Sequence, residues 1–193
     1  MLPEYDSPAA HPGNSDSVVT DWSVDPDDWG YFLCKVWDEW YNRDYGKVFV
    51  NLFETAVAQW QGMESQLCIY HEFFGKGVTL EHDGSLYSCD HYVYPEYRLG
   101  NIQKTSSSRM VFSGQQQKFG FAKSRNLPQY CRECKYLFAC NGECPKNRLI
   151  RTPAGEPGLN YLCSGLQKFW RHIDRYMNEI ISRVQREQLV SPP

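Results

Sequence analysis

The sequence of 193 residues lacks any apolar run close to the roughly 20 residues that a membrane-spanning helix needs. Its first residues, MLPEYDSPAAHPGNSDS, contain neither a basic start nor an apolar stretch, which argues against a secretory signal peptide. An excess of basic side chains is also missing, since the net charge is −3 and the pI is about 6.0. Phosphate contacts require a basic face, so nucleic acid is excluded as the main partner. We expect a cytoplasmic protein with no membrane partner.

Three common catalytic signatures are absent as well. The sequence contains no G-x-x-x-x-G-K-[ST] phosphate-binding loop, no G-x-S-x-G nucleophile turn and no H-E-x-x-H zinc-peptidase helix. Nucleotide hydrolysis, serine-nucleophile catalysis and zinc proteolysis through these motifs are therefore excluded. Internal repeats and low-complexity runs are missing too, which excludes a solenoid.

Cysteine is the residue type that carries the most information. Five of the eight cysteines fall within 33 residues, at intervals of two, five, three and eighteen residues. In a reducing cytoplasm such thiols are more often metal ligands than disulfides. The segment 131–163 also has little apolar content, so a bound metal is expected to order it. The clustered cysteines are Cys131, Cys134, Cys140, Cys144 and Cys163, and they follow Cys34, Cys68 and Cys89.

Two kinds of metal site are compatible with these thiols. A structural zinc site uses four ligands, usually in two pairs, whereas the spacing here is irregular and involves seven thiols. Iron–sulfur clusters take four thiolates each, and the ligands of two clusters can interleave along the chain. The spacing, together with Pro145 directly after Cys144, favours iron–sulfur clusters over zinc. Cys34 lies beside a predicted apolar helix stripe, which indicates a buried core thiol.

The first third of the chain predicts two helices with a strand between them. Asp25 and Pro26 are typical of a helix start, and apolar residues then recur at three- and four-residue steps as far as Tyr41. Residues 48–53 are β-branched and aromatic, which predicts a buried strand. A short helix is expected over residues 54–61.

The rest of the sequence predicts a hairpin, an irregular region and one long helix. Asp83-Gly84 indicates the turn of a hairpin within residues 77–89. Residues 103–130 are expected to hold one short helix and loops. Apolar residues from 166 to 184 predict a long amphipathic helix with a capping box at its start. The fold class is therefore α+β: a small irregular iron–sulfur domain with a β-hairpin, between a helix–strand–helix segment and a long C-terminal helix.

The cysteine pattern resembles that of a known family. Cys68-x15-Gly84-x4-Cys89, followed by the five clustered cysteines, is similar to the seven-cysteine motif of the SPASM domain, an extension of radical S-adenosylmethionine (SAM) peptide-modifying enzymes. The match includes all seven cysteines and the glycine. Three segments, LEHDGSLYSCDHYVYPEYRLGNI, LPQYCRECKYLFACNGECPKNR and GEPGLNYLC, resemble the anaerobic sulfatase-maturating enzymes. Residues 14–62 resemble the stretch that joins the radical barrel of that family to its SPASM domain.

The resemblance implies two auxiliary clusters of the [4Fe-4S] type. By position, the distal cluster would be held by Cys131, Cys134, Cys140 and Cys163. The ligands of the cluster nearer the active site would be Cys68, Cys89 and Cys144. The sulfatase maturases have an eighth cysteine six residues after the first, where this sequence has Phe74. Either that cluster has an open or non-cysteine ligand, for which His71 is a candidate, or it is degraded. For His71 itself we expect an exposed loop histidine rather than a ligand.

The resemblance also implies a function and a catalytic group. The aspartate that follows the second cysteine, here Asp90, is the proposed base of the family that deprotonates the target side chain. The implied role is electron relay and peptide positioning while a sulfatase cysteine or serine is oxidised to formylglycine. The C-x3-C-x2-C site for S-adenosylmethionine is absent, since Asn147 stands where its third cysteine would follow Cys144. We therefore expect no S-adenosylmethionine site and no radical generation by this chain alone, and a radical SAM barrel would act in cis or in trans.

The implied domain organisation has four parts. Residues 1–24 are expected to form a flexible leader and residues 25–66 a helix–strand–helix linker that resembles the end of a radical SAM barrel. Residues 67–165 would form the two-cluster domain, and residues 166–193 the C-terminal helix and tail. The chain would be a fragment, a truncated product or one subunit of a split system. Two other functions remain open: a peptide- or partner-binding module with purely structural clusters, and a zinc-binding interaction domain.

Overall fold

The computed structural model describes residues 19–190, with side chains as far as residue 186. The flexible leader predicted for residues 1–24 lies, up to residue 18, outside the described residues. The structure is a helical core with two small antiparallel sheets, which confirms the α+β prediction. No helix of the described part is both long enough and apolar enough to cross a membrane.

Two helices that are distant in sequence form the centre of the core. Helix α1 spans Pro26–Glu39 and starts as predicted, with the Asp25 side chain accepting backbone N–H bonds at its amino end. Helix α7 spans Cys163–Val190 and contains the predicted apolar stripe. A side-chain hydrogen bond of 2.6 Å joins His172 to Asp38 across the two helices.

The two helices approach closely because each has a glycine at the crossing point. A Cβ atom on Gly165 would lie 1.9 Å from the carbonyl oxygen of Pro26, and a Cβ on Gly30 would lie 2.6 Å from the Cα of Gly165. Aromatic side chains fill the space beside this crossing, and Trp37, with no exposed surface, contacts Phe53 and Phe169 edge to face. The contact therefore depends on the absence of side chains at two positions.

The strand predicted for residues 48–53 is wrong. Helix α2 begins at Asn51 and spans Asn51–Trp60, and the residues before it are outside any strand. Val48 is 49% exposed and Phe49 is 74% exposed, whereas Phe53 and Ala56 are buried against the aromatic core. The helix thus begins about one turn earlier than the predicted start at residue 54, and its buried residues have helical spacing. Packing against the aromatic core outweighs the local preference of this segment for a strand.

The predicted hairpin is confirmed and gains a third strand. Strand β1 is Thr79–Leu80, β2 is Ser85–Tyr87 and β3 is Arg98–Asn101, in the antiparallel order β1-β2-β3. Gly84 is the turn residue with positive φ, at 82°. The Asp83 carboxylate accepts the first backbone N–H of β2 at 2.8 Å, which fixes the turn. A second sheet pairs β4, Ile150–Arg151, with β5, Pro157–Leu159.

The region between the two sheets is more helical than expected. Residues 103–130 contain α3, Ser107–Val111, and α4, Gly114–Arg125, where the sequence indicated one short helix. The buried face of α4 includes the polar side chains of Gln116 and Lys123. The sequence of this helix therefore lacks the regular spacing of apolar residues from which an amphipathic helix is predicted. Two short helices follow in the cysteine-rich segment: α5, Gln129–Arg132, and α6, Leu137–Cys140.

Candidate metal centre

Four cysteines that are spread over 33 residues line one cavity. Cys131 lies in α5, Cys134 follows that helix, Cys140 is the last residue of α6 and Cys163 is the first residue of α7. The side chain of Trp170 closes part of the same cavity. We call this site the four-thiol cavity. The structure thus brings together the four residues that the resemblance assigns to the distal cluster.

The thiols of the four-thiol cavity influence one another. Burial, with a smaller contribution from the neighbouring thiols, raises the pKa of Cys140 and the pKa of Cys163 to about 12. Burial also raises the pKa of Cys131, and the charge of Cys134 adds to the effect. Four thiolates this close to one another need a cation to balance their charge, and a metal that binds them must displace their protons.

A buried donor on a residue that lines this cavity is compatible with an iron–sulfur cluster. Trp170 is 1% exposed, and its indole N–H has no hydrogen-bond partner among the residues that the structure describes. Such a group costs stability unless an acceptor is supplied. The sulfur atoms of a bound cluster accept hydrogen bonds, whereas a single zinc ion adds no acceptor atom of its own. The soft donor set of four thiols and the unsatisfied N–H both fit the distal cluster.

The other three predicted ligands form a second group, the three-thiol group of Cys68, Cys89 and Cys144. Cys89 follows β2, and Cys144 lies at the start of a 3₁₀ turn, so a sheet edge and a loop meet here. Burial raises the pKa of Cys89 to about 12, and the charge of Cys144 adds to that effect. Burial likewise raises the pKa of Cys144, with a contribution from Cys68. The structure therefore separates Cys144 from the four-thiol cavity, although its sequence neighbours line that cavity.

Asp90 is exposed beside the three-thiol group. Its carboxylate accepts a hydrogen bond of 3.1 Å from the Cys89 thiol, which holds the pKa of Asp90 below its usual range. The ligand atoms of Cys89, Asp90 and His91 all lie within 4.8 Å of one another. Asp90 is thus ionised at neutral pH and accessible to an approaching molecule. Its role as a base stays a prediction.

His71 differs from its sequence-based interpretation. The expectation of an exposed loop histidine is wrong, because His71 is only 8% exposed. Its Nδ1 accepts the backbone N–H of Phe73 at 3.0 Å, and its Nε2 lies 3.1 Å from a carboxylate oxygen of Glu64. Both ring nitrogens therefore have protein partners, which makes His71 a poor candidate for a metal ligand.

Phe74 is part of an aromatic cluster. Its ring centroid lies 4.2 Å from that of Phe119 and 6.3 Å from that of Tyr92. Position 74, where the resembling family has a cysteine, thus contributes packing in this chain and has no metal-binding group.

Lys123 and Arg148 are buried cations that the sequence analysis missed. Their side chains hold the loops that carry the cysteines of the three-thiol group and of the four-thiol cavity. Lys123 is fully buried, and its Nζ donates to the carbonyl oxygens of Cys68, Ile69 and His71 at 2.8, 2.7 and 2.5 Å. Burial, followed by the charge of Arg148, lowers the pKa of Lys123 to about 8. The Arg148 guanidinium, on a residue 2% exposed, donates to carbonyl oxygens of three residues: Gly142, Lys123 and Asn141. A lysine in a polar helix gives no signal in the sequence that it is buried.

We expect Lys123→Met to destabilise the fold by about 3 kcal/mol, because methionine fills the space but leaves three carbonyl oxygens, one buried and two partly buried, without this donor. The loop that carries Cys68 should loosen, and iron bound at the three-thiol group should fall. Urea unfolding and iron analysis of the anaerobically purified chain measure both effects. Lys118→Met, an exposed position on the same helix, is the matched control and should change neither quantity. Equal stability of the two variants would contradict the bracing role.

Comparisons with known proteins give consistent results. Residues 68–135 match the model of SPASM, an iron-sulfur cluster-binding domain. A serine-type anaerobic sulfatase-maturating enzyme of Bacteroides thetaiotaomicron is 44% identical over 173 residues, which are 90% of this chain and 42% of that protein. A cysteine-type enzyme of Clostridium novyi is 27% identical over 165 residues, which are 84% of this chain and 44% of that protein. The chain thus spans less than half the length of these relatives.

A solved structure has the same fold. The structure described as native anSMEcpe with bound AdoMet and Kp18Cys peptide is 25% identical to this chain, with a TM-score of 0.74. The similarity covers 90% of this chain and 46% of that one. A further structure, described as native anSMEcpe with bound AdoMet, gives a TM-score of 0.72 at 26% identity, over 90% of this chain and 46% of that one.

Proposed function

Since the chain carries a SPASM iron–sulfur cluster-binding domain of the anaerobic sulfatase-maturating type, we propose that it relays electrons and positions a peptide during formylglycine formation. The peptide would be a sulfatase segment whose cysteine or serine is oxidised. Both serine-type and cysteine-type enzymes are among the relatives, so the target residue is not assigned. A radical SAM barrel, in cis or in trans, would start the reaction.

One observation supports the proposal most strongly: four of the seven cysteines line one cavity, whereas Cys144 is absent from that lining and interacts electrostatically with Cys89 and Cys68. Four thiols are the ligand set of one [4Fe-4S] cluster. Cys144 belongs to the group of three although its neighbours in sequence belong to the group of four. Interleaved ligands of this kind are typical of two-cluster proteins and argue against a single zinc site.

The proposed chemistry requires an electron acceptor and a proton acceptor. Oxidation of a serine side chain to the aldehyde removes two electrons and two protons. The same oxidation of a cysteine gives a thioaldehyde, which water converts to the aldehyde with release of hydrogen sulfide. In both cases the abstraction of a hydrogen atom removes one electron and one proton. Bound clusters would supply the acceptor for the remaining electron. The Asp90 carboxylate is ionised and exposed beside Cys89, so we assign it the remaining proton.

The free thiols favour a reducing compartment. All eight cysteines are unpaired in the structure, including the exposed Cys68. Thiols of this kind persist in the cytoplasm, where disulfides are rare. We therefore assign the protein to the cytoplasm.

We expect iron and acid-labile sulfide in the chain after anaerobic purification, up to about eight iron atoms if both clusters are [4Fe-4S]. Metal and sulfide analysis measures this directly. Stoichiometric zinc without sulfide would reject the clusters and favour the zinc-binding interaction domain.

Redox titration separates the relay from a module with purely structural clusters. We expect at least one cluster to be reduced and reoxidised reversibly, and reconstitution with a barrel-containing protein to support peptide oxidation. Clusters that cannot be reduced at accessible potentials would favour the binding module.

A further inference from the structure

We propose that His91 is the fourth protein ligand of the cluster in the three-thiol group. The inference rests on the proposed function, because it needs a cluster at that site. It assigns a ligand that neither the cysteine pattern nor the similarity to other proteins provides.

The cysteines of the chain leave one iron without a thiolate. Four of the eight line the four-thiol cavity, and three form the three-thiol group. The eighth, Cys34, is buried in the core, where its thiol faces the carbonyl oxygen of Lys168 on α7 at 4.0 Å. A [4Fe-4S] cluster has four irons, each with a position for an external ligand. With three thiolates, one position must be open or taken by another donor.

His91 is the imidazole that the fold brings to this group. Its Nδ1 lies 3.8 Å from the Sγ of Cys144, a residue 53 positions away in sequence. Its ring is also within 4.8 Å of the Cys89 thiol. The ring nitrogen therefore lies close to two of the three thiols. Its side chain is 53% exposed, so the ring has room to adjust when a cluster is bound.

The second ring nitrogen supports the assignment. The Nε2 of His91 lies 4.0 Å from a carboxylate oxygen of Asp90, which is longer than a hydrogen bond but near enough for the two to pair when the exposed ring adjusts. Histidines that bind metals commonly present the other nitrogen to a carboxylate, which orients the ring and increases its basicity. Imidazole is also an established ligand of iron in iron–sulfur clusters, as in Rieske centres.

The other candidate donors are less suitable. Asp90 is engaged locally, since its carboxylate accepts the backbone N–H of His91 at 3.1 Å, a bond that does not depend on the protonation of Cys89. A carboxylate is also a harder donor than imidazole and suits iron–sulfur chemistry less well. His71 has partners at both ring nitrogens, and Phe74 has no donor atom.

Pulsed electron paramagnetic resonance of the reduced, anaerobically reconstituted chain tests the proposal. Imidazole bound to iron gives a strong nitrogen coupling, which should change when histidine is labelled with 15N. We expect His91→Ala to abolish this coupling and to lose up to about four of eight irons in air. His82→Ala, an exposed histidine on the hairpin, is the matched control and should keep both. Iron retained at the four-thiol cavity shows that each variant is folded.

A second variant keeps the test decisive if His91→Ala loses the whole cluster. Phe74→Cys places a thiol where the related enzymes have one, so the double variant Phe74→Cys, His91→Ala should recover iron without the nitrogen coupling. Coupling that persists in His91→Ala, or is absent from the unmodified chain with about eight irons, would overturn the proposal. Absence of iron and sulfide from the unmodified chain would instead overturn the proposed function, and this inference with it.

Discussion

Cys134→Ser is expected to remove the cluster of the four-thiol cavity and with it about four iron atoms per chain. A serine hydroxyl is a harder donor than a thiol and stays protonated at neutral pH, so it is a poor ligand for iron. The part of the segment around α5 has only a small apolar cluster, whose buried members are Leu127, Cys131 and Leu159, whereas Tyr136 and Ala139 at α6 belong to the main core. Loss of the metal should therefore make this segment sensitive to proteases. Iron analysis and limited proteolysis measure the two effects.

Cys34→Ser is the matched control, because it makes the same chemical change at the one cysteine outside both groups. The Cys34 side chain lies between α1 and α7, and burial raises the pKa of its thiol. The thiol makes only a long contact of 4.0 Å with the carbonyl oxygen of Lys168, so serine is expected to cost some stability of the core but to remove no metal ligand. We expect unchanged iron content. Loss of iron from this variant would mean that Cys34 is a ligand, and the assignment of the ligands would have to be revised.

The second large effect is expected from a single methyl group. Gly165→Ala places a Cβ atom where the structure allows 1.9 Å to the carbonyl oxygen of Pro26, so α1 and α7 must separate. The cost of such overpacking is about 3 kcal/mol, and more when backbone rather than a flexible side chain is the obstacle. Since Cys163 is the first residue of α7, a displaced helix should also disturb the four-thiol cavity. Thermal unfolding and iron content report the two consequences.

Gly114→Ala separates this steric effect from the general effect of replacing glycine in a helix. Gly114 is the first residue of α4, and a Cβ there meets no atom within 4 Å. Alanine should be neutral or stabilising by about 0.5 kcal/mol, because it restricts the unfolded chain. A similar loss of stability in both variants would contradict the close helix contact.

Much of the fold could be predicted from residues with a strong local signal. The Asp25-Pro26 start of α1 and the apolar stripe of α7 follow from capping and periodicity, and both helices are present. The hairpin at Gly84 follows from turn chemistry. These signals come from residues close together in sequence, so they predict the element without knowledge of the tertiary structure.

The errors arose where tertiary packing decides. Residues 48–53 have β-branched and aromatic side chains, but Phe53 is buried only because α2 packs against the aromatic core. In α4, Gln116 and Lys123 are buried polar residues whose partners are backbone carbonyls far away in sequence. The spacing of apolar residues in a single sequence carries no information about such distant hydrogen-bond partners.

The site was partly predictable for a different reason. The type and spacing of the cysteines indicate soft-metal chemistry without any knowledge of the fold. The nearness of His91 to Cys144 could not be predicted, because it joins residues on separate loops. The interpretation of His71 as exposed failed because the turn that brings its ring to Glu64 and to the backbone N–H of Phe73 has no signal in the sequence.

The crossing of α1 and α7 has a consequence for the order in which the molecule assembles. The His172–Asp38 pair joins positions 134 residues apart, so the aromatic core cannot close until nearly all of the chain between the helices has been synthesised. Closing so long a loop is slow, because its entropy is lost before the contacts form. The four-thiol cavity is completed in the same late step, because its last thiol, Cys163, is the first residue of α7 and Trp170 of the same helix lines the cavity.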